Sequence, residues 1–249
     1  MKILLSGYKG FMGQEVQKLC QAGVRDAQLC AGVDIKADGS ECVPCAASFE
    51  NANKNVDCVI DFSHFSLTDS LLDFCTSNHL PLVLATTGHT DAQKELIKSA
   101  SLKIPIFYAA NYSLGIALLI ELAKQTAAAF PEADIEIVET HHNRKVDAPS
   151  GTALAIFDAI KQVRNNAIKK LGRSGVSKRT PEEIGIHAVR MGNITGIHEV
   201  IVGTQNQTIT LKHEAHSRAL FAEGALAAAQ YIINKKPGLY NMNDLIDNK

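Results

Sequence analysis

The first half of the chain alternates β-like runs with helical patterns, and that rhythm constrains the fold more than any other feature. The runs are Lys2-Ser6, Gln28-Val33, Val56-Phe62, Pro81-Thr86 and Ile104-Ala109, with helical patterns over roughly Phe11-Ala22, Ser66-Asn78 and Asp91-Ala100 between them. Strands alternating with helices build βαβ units, because parallel neighbours need a crossover to carry the chain back across the sheet. Gly39 to Asn55 is polar and turn-rich and reads as loop with little regular structure.

The first run leads into Gly7-Tyr8-Lys9-Gly10-Phe11-Met12-Gly13, a GxxGxxG spacing at the start of a helix. The first glycine permits a tight turn, the second a close approach of backbone to a pyrophosphate, and the third close packing of helix on strand. The helix start offers N–H groups to the phosphates. Alone the spacing is weak evidence, but Asp34 closes the second run, about 20 residues on, where an acidic side chain can bind ribose hydroxyls. Asp34 would repel a 2′-phosphate and favours NADH; Lys9 and Lys36 stand close enough in sequence to attract one, so NADPH stays open. Two further turns, Ala85-Thr86-Thr87-Gly88 and Ala109-Ala110-Asn111-Tyr112, fall where a parallel sheet exposes its carboxyl edge. Ordinary helix capping by Thr and Asn is an equal reading of these two.

After a helical pattern over Ser113 to Phe130 the rhythm changes. Asp134-Thr140 reads as a strand and Gly151-Val163 as a helix, and the basic stretch from Lys169 to Arg179 reads as an exposed loop. Ile184-Arg190, Gly196-Gly203 and Gln207-His213 then follow as strands with short turns, which suggests an antiparallel or mixed sheet. An alanine-rich helix over Arg218 to Asn234 closes the pattern. The expected class is α/β: a dinucleotide-binding parallel-sheet domain followed by a smaller α+β domain with a mixed sheet.

Composition excludes several alternatives. A net charge of −1 argues against nucleic acid, which calls for a basic excess. The longest uncharged run, Ile104 to Ile120, is broken by Pro105, Asn111 and Gly115, so no membrane span is expected. Met1-Lys2 is followed by too few apolar residues for a signal peptide. The six cysteines all lie in the first third, and Cys42-Val43-Pro44-Cys45 is a lone CxxC without a second ligand pair. They read as ordinary thiols of a cytoplasmic protein, and no metal site is expected.

The densest chemistry lies in Glu139 to Leu154, ETHHNRKVDAPSGTAL. Ser150 is placed to cap a helix whose first N–H groups, at Gly151 and Thr152, would receive a carboxylate. Lys145 adds a full charge nearby, and a histidine beside such a site can act as a general acid. Taken singly, His141, His142 and Lys145 would pass for a solvated strand end. Together they suit a small dicarboxylate that must be gripped and given a proton. Zinc held by His141 and His142 is disfavoured, since adjacent strand residues point to opposite faces.

The run from Glu139 to Ala153 resembles the signature of the 4-hydroxy-tetrahydrodipicolinate reductase (dihydrodipicolinate reductase) family of diaminopimelate and lysine biosynthesis. The resemblance extends to the Gly7–Gly13 turn, Ala85–Gly88, Ala109–Ser113, Gly185–His198 and Ser217-Arg218, nearly the whole chain. It implies a Rossmann-like domain over 1–112, to which 219–249 returns, and a substrate-binding and oligomerising domain over 113–218 that builds a homotetramer. It implies NADH- or NADPH-dependent reduction of the cyclic imine acid with loss of water. By motif match, His141 would be the general acid/base and Lys145 a proton donor or charge partner. His142, Ser150, Gly151 and Thr152 would hold the carboxylates, with Arg218 assisting. Gly7, Tyr8, Lys9, Gly10, Phe11, Met12, Asp34, Ala85, Thr86, Thr87, Ala109, Ala110, Asn111 and Tyr112 would contact the cofactor. Ala85 and Met191 stand where many members carry glycine, and Ile35 where some carry an arginine for the 2′-phosphate, which weakens NADPH. Two rival readings fare worse. A cysteine-dependent semialdehyde dehydrogenase would need a cysteine after Cys75, and a dinucleotide sensor has no use for the His141–Thr152 constellation.

Overall fold

In a computed structural model, which describes residues 1–247, β1 (Lys2–Ser6) lies inside a seven-stranded sheet. Its last four residues are all buried, the continuous burial of a strand covered on both faces. α1 (Phe11–Gln21) follows, then β2 (Gln28–Val33), β3 (Cys45–Ala46), β4 (Cys58–Asp61), α2 (Thr68–Ser77), β5 (Leu82–Leu84), α3 (Asp91–Ser101) and β6 (Pro105–Tyr108). The strand order β3-β2-β1-β4-β5-β6 extends outward on both sides of β1, and every pairing is parallel. The carboxyl ends of β1 and β4, where the order reverses, therefore form a crevice at the sheet edge.

β3 falls inside the stretch expected to be loop. It has only two residues, paired by backbone to Gly32 and Val33, too short to leave a periodic signature. Beyond the alanine-rich helix come two more unexpected elements, a strand over Gly238–Tyr240 that pairs parallel with β6 and a helix over Met242–Asp247. Residues 218–247 belong to the same compact unit as Met1–Leu114, so Ser113, Leu114 and Arg218 group with this unit.

The second unit, Gly115–Ser217, contains most of α4 (Leu114–Ala129), then β7 (Asp134–His141), α5 (Gly151–Lys161), β8 (Ile168–Leu171), β9 (Glu183–Arg190), β10 (Gly196–Gly203) and β11 (Thr208–Ala215). Its five strands run in the order β11-β10-β7-β9-β8. β10 is antiparallel to both β11 and β7, while β7, β9 and β8 are parallel, so the sheet is mixed. β9 and β10 are consecutive in the chain, yet β7 lies between them. β8 takes Lys169, Lys170 and Leu171 from the stretch expected to be an exposed loop, while Gly172 to Arg179 has no regular structure, as expected; all four β8 residues are exposed, so this edge strand shows no apolar alternation. One face of the sheet buries Ile135, Ile137, Ile184, Ile186, Val200 and Val202 against Ile156, Phe157 and Ile160 of α5 and Ile116 and Leu119 of α4.

α6 (Ala219–Ile232) packs on β4, β5 and β6 of the first unit. Its small side chains permit close approach, and the tightest point is Gly224, where a Cβ would stand 1.6 Å from the Tyr112 carbonyl oxygen.

Candidate functional site

In the first unit the Gly7–Gly13 turn is built by close approach. Gly7 has φ of 79°, and a Cβ there would meet the Phe62 carbonyl at 2.6 Å. At Gly13 a Cβ would meet the Gly7 oxygen at 2.2 Å. Only glycine fits either place, and the N-terminus of α1 consequently opens on a cleft of about 390 Å³ lined by Gly7, Lys9, Gly10, Asp34, Ser63 and His64, among others. Asp34 Oδ2 accepts the Lys9 N–H at 2.8 Å and Oδ1 the Lys36 N–H at 2.9 Å, which fixes the carboxylate while lone pairs remain for ribose hydroxyls. These features suit a dinucleotide.

Lys9 behaves differently from its sequence expectation. Its ammonium lies 2.8 Å from both Asp38 and Glu41, and the Glu41 side chain is only 3% exposed. Hydrogen bonds donated to these carboxylates push the Lys9 pKa up, and Lys9 holds both carboxyls below their usual range. Tyr8 and Tyr112 also differ. The Tyr8 ring is buried against Gly32 and Cys45, and the Tyr112 hydroxyl donates to the Leu84 and Phe107 carbonyls. Both side chains support the turn, so these positions can meet a ligand only through backbone.

Thr86 is held by a group that sequence reasoning passed over. Its hydroxyl donates to Asp61 Oδ2 at 2.6 Å, and the Ser63 hydroxyl donates to Oδ1 at 2.6 Å. Asp61 is buried at the end of β4, and burial raises its pKa against the opposing effect of these bonds. Thr87 and Ala110 are exposed, Met12, Ala85, Ala109 and Asn111 half-buried, and Asn111 Oδ1 accepts the Ser113 N–H. Phe11 is exposed beneath the Arg218 guanidinium, 5.5 Å from its ring centre. Arg218 thus stands at the start of α6 in the first unit.

In the second unit the apolar row of β7 turns polar at one end. Counting in twos from Ile135 and Ile137 puts Glu139 and His141 on the same inward face, and all four are buried. Glu139 receives four hydrogen bonds: from Arg190 Nη1 and Nη2 at 2.7 Å each, from His141 Nδ1 at 2.5 Å and from the Ser150 N–H at 2.9 Å. Burial alone would raise the Glu139 pKa; the bonds from Arg190, His141 and Ser150 outweigh it and hold the carboxyl below its ordinary value. The proton of the Glu139–His141 pair therefore belongs to His141 Nδ1, and Nε2 is the ring atom left for exchange. Gly196 keeps room beside it, since a Cβ there would stand 3.1 Å from Nε2.

Ser150 caps α5, its Oγ accepting the Ala153 N–H at 3.2 Å. The same Oγ lies 3.2 Å from His198 Nε2, and the His198 ring meets His141 edge to face at 5.1 Å. Burial, with the His141 ring beside it, pushes His198 down to about 4, so this imidazole is neutral near pH 7. Space is open around Gly151, where a Cβ would meet nothing within 4 Å. Lys145 Nζ pairs with Asp147 at 2.8 Å, and Arg190 also donates to the Asp147 carbonyl. The His142 N–H donates to the Ile194 carbonyl. Glu139, Arg190 and His198 were given no role from the sequence, although counting in twos along β7, β9 and β10 places them on the core face. Among the described residues no cluster of three or more His, Cys, Asp and Glu could hold a metal ion.

Comparison with known proteins gives the lineage. Residues 1–112 match the family model described as dihydrodipicolinate reductase, N-terminus, and residues 115–246 the model of its C-terminus. The 4-hydroxy-tetrahydrodipicolinate reductase of Clostridium novyi (strain NT) is 42% identical over 250 aligned positions, covering 100% of this chain and 99% of that protein. That of Caldanaerobacter subterraneus subsp. tengcongensis is 43% identical, covering 99% and 98%. The dipicolinate-bound dihydrodipicolinate reductase of Paenisporosarcina sp. TG-14 superposes with a TM-score of 0.82 at 26% identity, covering 98% of each chain. A probable dehydrogenase from Thermotoga maritima, at 12% identity and TM-score 0.65, shares the fold alone. With both halves matched and full-length relatives above two-fifths identity, the chain belongs to the dihydrodipicolinate reductase family.

Proposed function

We infer that the chain catalyses reduction of 4-hydroxy-tetrahydrodipicolinate to tetrahydrodipicolinate, with loss of water, in the diaminopimelate route to lysine. The relatives that it matches along their full length carry that activity in their names. The observation that carries the reading is that one buried carboxylate, Glu139, receives both His141 Nδ1 and the Ser150 N–H. A proton-bearing imidazole and a helix start suited to anions are thereby fixed to each other.

A bound nicotinamide dinucleotide supplies the hydride. The chain supplies the rest. The start of α5, at Ser150, Gly151 and Thr152, receives one carboxylate of the substrate, and Lys145 and His142 add charge and hydrogen bonds for the dianion. Arg218 is a further cation for it. His141 delivers a proton from Nε2. The turn from Gly7 to Met12, Asp34, Ala85–Thr87 and Ala109–Tyr112 hold the dinucleotide, with Tyr8 and Tyr112 acting through backbone.

NADH is the preferred donor in this reading. The Asp34 carboxylate opposes a 2′-phosphate, and Lys9, which lines the cleft together with Lys36, is already neutralised by Asp38 and Glu41. We place the protein in the cytoplasm as a homotetramer. No described helix is long and apolar enough to cross a membrane. The sheet face of the second unit opposite α4 and α5 carries Val138, Thr140, Ile197 and Ile201, none fully buried within the chain, a surface suited to another copy.

The test is a coupled assay in which freshly generated 4-hydroxy-tetrahydrodipicolinate is offered with NADH and, separately, with NADPH. Oxidation of NADH that depends on the substrate is the expected result. Nucleotide binding without turnover would defeat the assignment.

A further inference from the structure

Glu139 is among the most heavily bonded side chains in the second unit. Its side chain is wholly buried, it takes two hydrogen bonds from Arg190, one from His141 and one from the Ser150 backbone, and it lies opposite His198 in the β7–β10 register. A buried ion pair is weak evidence for stability, because apolar residues of the same volume often do as well. Its retention in the core row of β7 needs another explanation.

We propose that Glu139, held by Arg190, is a positioning residue that keeps hydrogen on His141 Nδ1 and bares Nε2, while anchoring the start of α5 through the Ser150 amide. The inference rests on the function assigned above for the identity of His141 as proton donor. The geometry admits little else. Three donors, on Arg190 and Ser150, already occupy the carboxylate, and the fourth contact at 2.5 Å faces an imidazole nitrogen. A carboxylate that accepts everywhere leaves that nitrogen one role, to donate. Exchange with a ligand then passes through Nε2, on the side where Gly196 leaves room. Arg190 supplies the compensating charge, and its further bond to the Asp147 carbonyl ties the Lys145–Asp147 turn to the same point. The groups facing His141 are thus Glu139 on its own strand, Arg190 from β9 and His198 from β10.

Glu139→Gln tests the proposal. The glutamine oxygen keeps the place that accepts from Ser150 and Arg190 Nη2, so its NH₂ group faces His141, displaces Arg190 Nη1 and forces a bare Nδ1 with hydrogen on Nε2. In the free protein at about pH 8, above the ordinary imidazole range, nitrogen NMR of the ring should show the Nδ1–H form in the unaltered chain and the Nε2–H form in the variant. The His141 signals are assigned by their loss in His141→Gln. With substrate, kcat should fall at least about 100-fold while the Kd for NADH stays within about twofold. Should Glu139→Gln fail to fold with Arg190 unpaired, Glu139→Gln with Arg190→Met removes both charges, and the same tautomer exchange and loss of kcat are expected. Hydrogen on Nε2 in the unaltered protein, or an unchanged tautomer and kcat within about twofold in a folded variant, overturns the proposal. The tautomer comparison needs no turnover, so failure of the reductase assay would reject the assigned reaction and leave this experiment decisive by itself.

Discussion

Lys9 lies 2.8 Å from Glu41, a carboxylate whose side chain is only 3% exposed and which also accepts the N–H groups of Asp38 and Gly39. The loop after β2 therefore closes over one of the two lysines that could meet a 2′-phosphate. Combining Asp38→Asn with Glu41→Gln should free Lys9 and raise kcat/KM for NADPH severalfold relative to NADH. Initial rates with both nucleotides check this, and an unchanged ratio would remove the loop from cofactor choice.

Gly13→Ala and Gly151→Ala should have opposite characters. At Gly13 the new methyl meets backbone oxygens at 2.2 and 2.6 Å, which cannot rotate away, so a loss of about 1–3 kcal/mol and weakened NADH binding are expected. At Gly151 nothing lies within 4 Å, and stability should change by less than about 1 kcal/mol. The methyl would instead obstruct a carboxylate at the start of α5, so KM for the dicarboxylate should rise while Tm holds. An unchanged KM would take the substrate away from that helix.

Lys145→Ala should reduce kcat and raise KM together, because the lost charge both grips and orients the dianion. In the free protein the same change only releases Asp147, a mostly exposed partner, so folding should be little affected. Near-normal turnover would exclude Lys145 from the mechanism.

His198 should make the protein sensitive to mild acid. Its folded pKa of about 4 lies below the unfolded value near 6.5, so between these values the unfolded chain binds more protons and stability falls as pH falls. The full loss is on the order of 3 kcal/mol, reached near the lower value. Neutral His198→Gln should flatten this part of the stability curve, measured as urea midpoints between about pH 7 and pH 4. His89 and His213, whose pKa values burial also lowers, would account for the slope that remains. A curve unchanged by the substitution would show that His198 titrates normally.

The βαβ half was legible because parallel strands buried on both faces leave apolar runs, as in Ile3-Leu4-Leu5, and because the glycines answer to sterics at Gly7 and Gly13. β8 was not, since exposed edge residues carry no pattern, and β3 and the strand over Gly238–Tyr240 are too short to carry one. Within the site, His141 and Ser150 stood out through neighbours in sequence. Glu139 reads locally as one more polar strand residue; its part depends on Arg190 and His198, which only sheet pairing brings alongside. The ion pairs of Lys9 were not legible for the same reason, because its partners are set by the folding of the loop that follows β2.

β7 is bonded to a neighbour along both edges. Slippage by one residue would exchange Ile135, Ile137, Glu139 and His141 for Glu136, Val138, Thr140 and His142 in a single event. Loss of the reactive row and loss of the interior are therefore the same accident. Selection for a well-packed interior alone would guard the alignment of its chemistry.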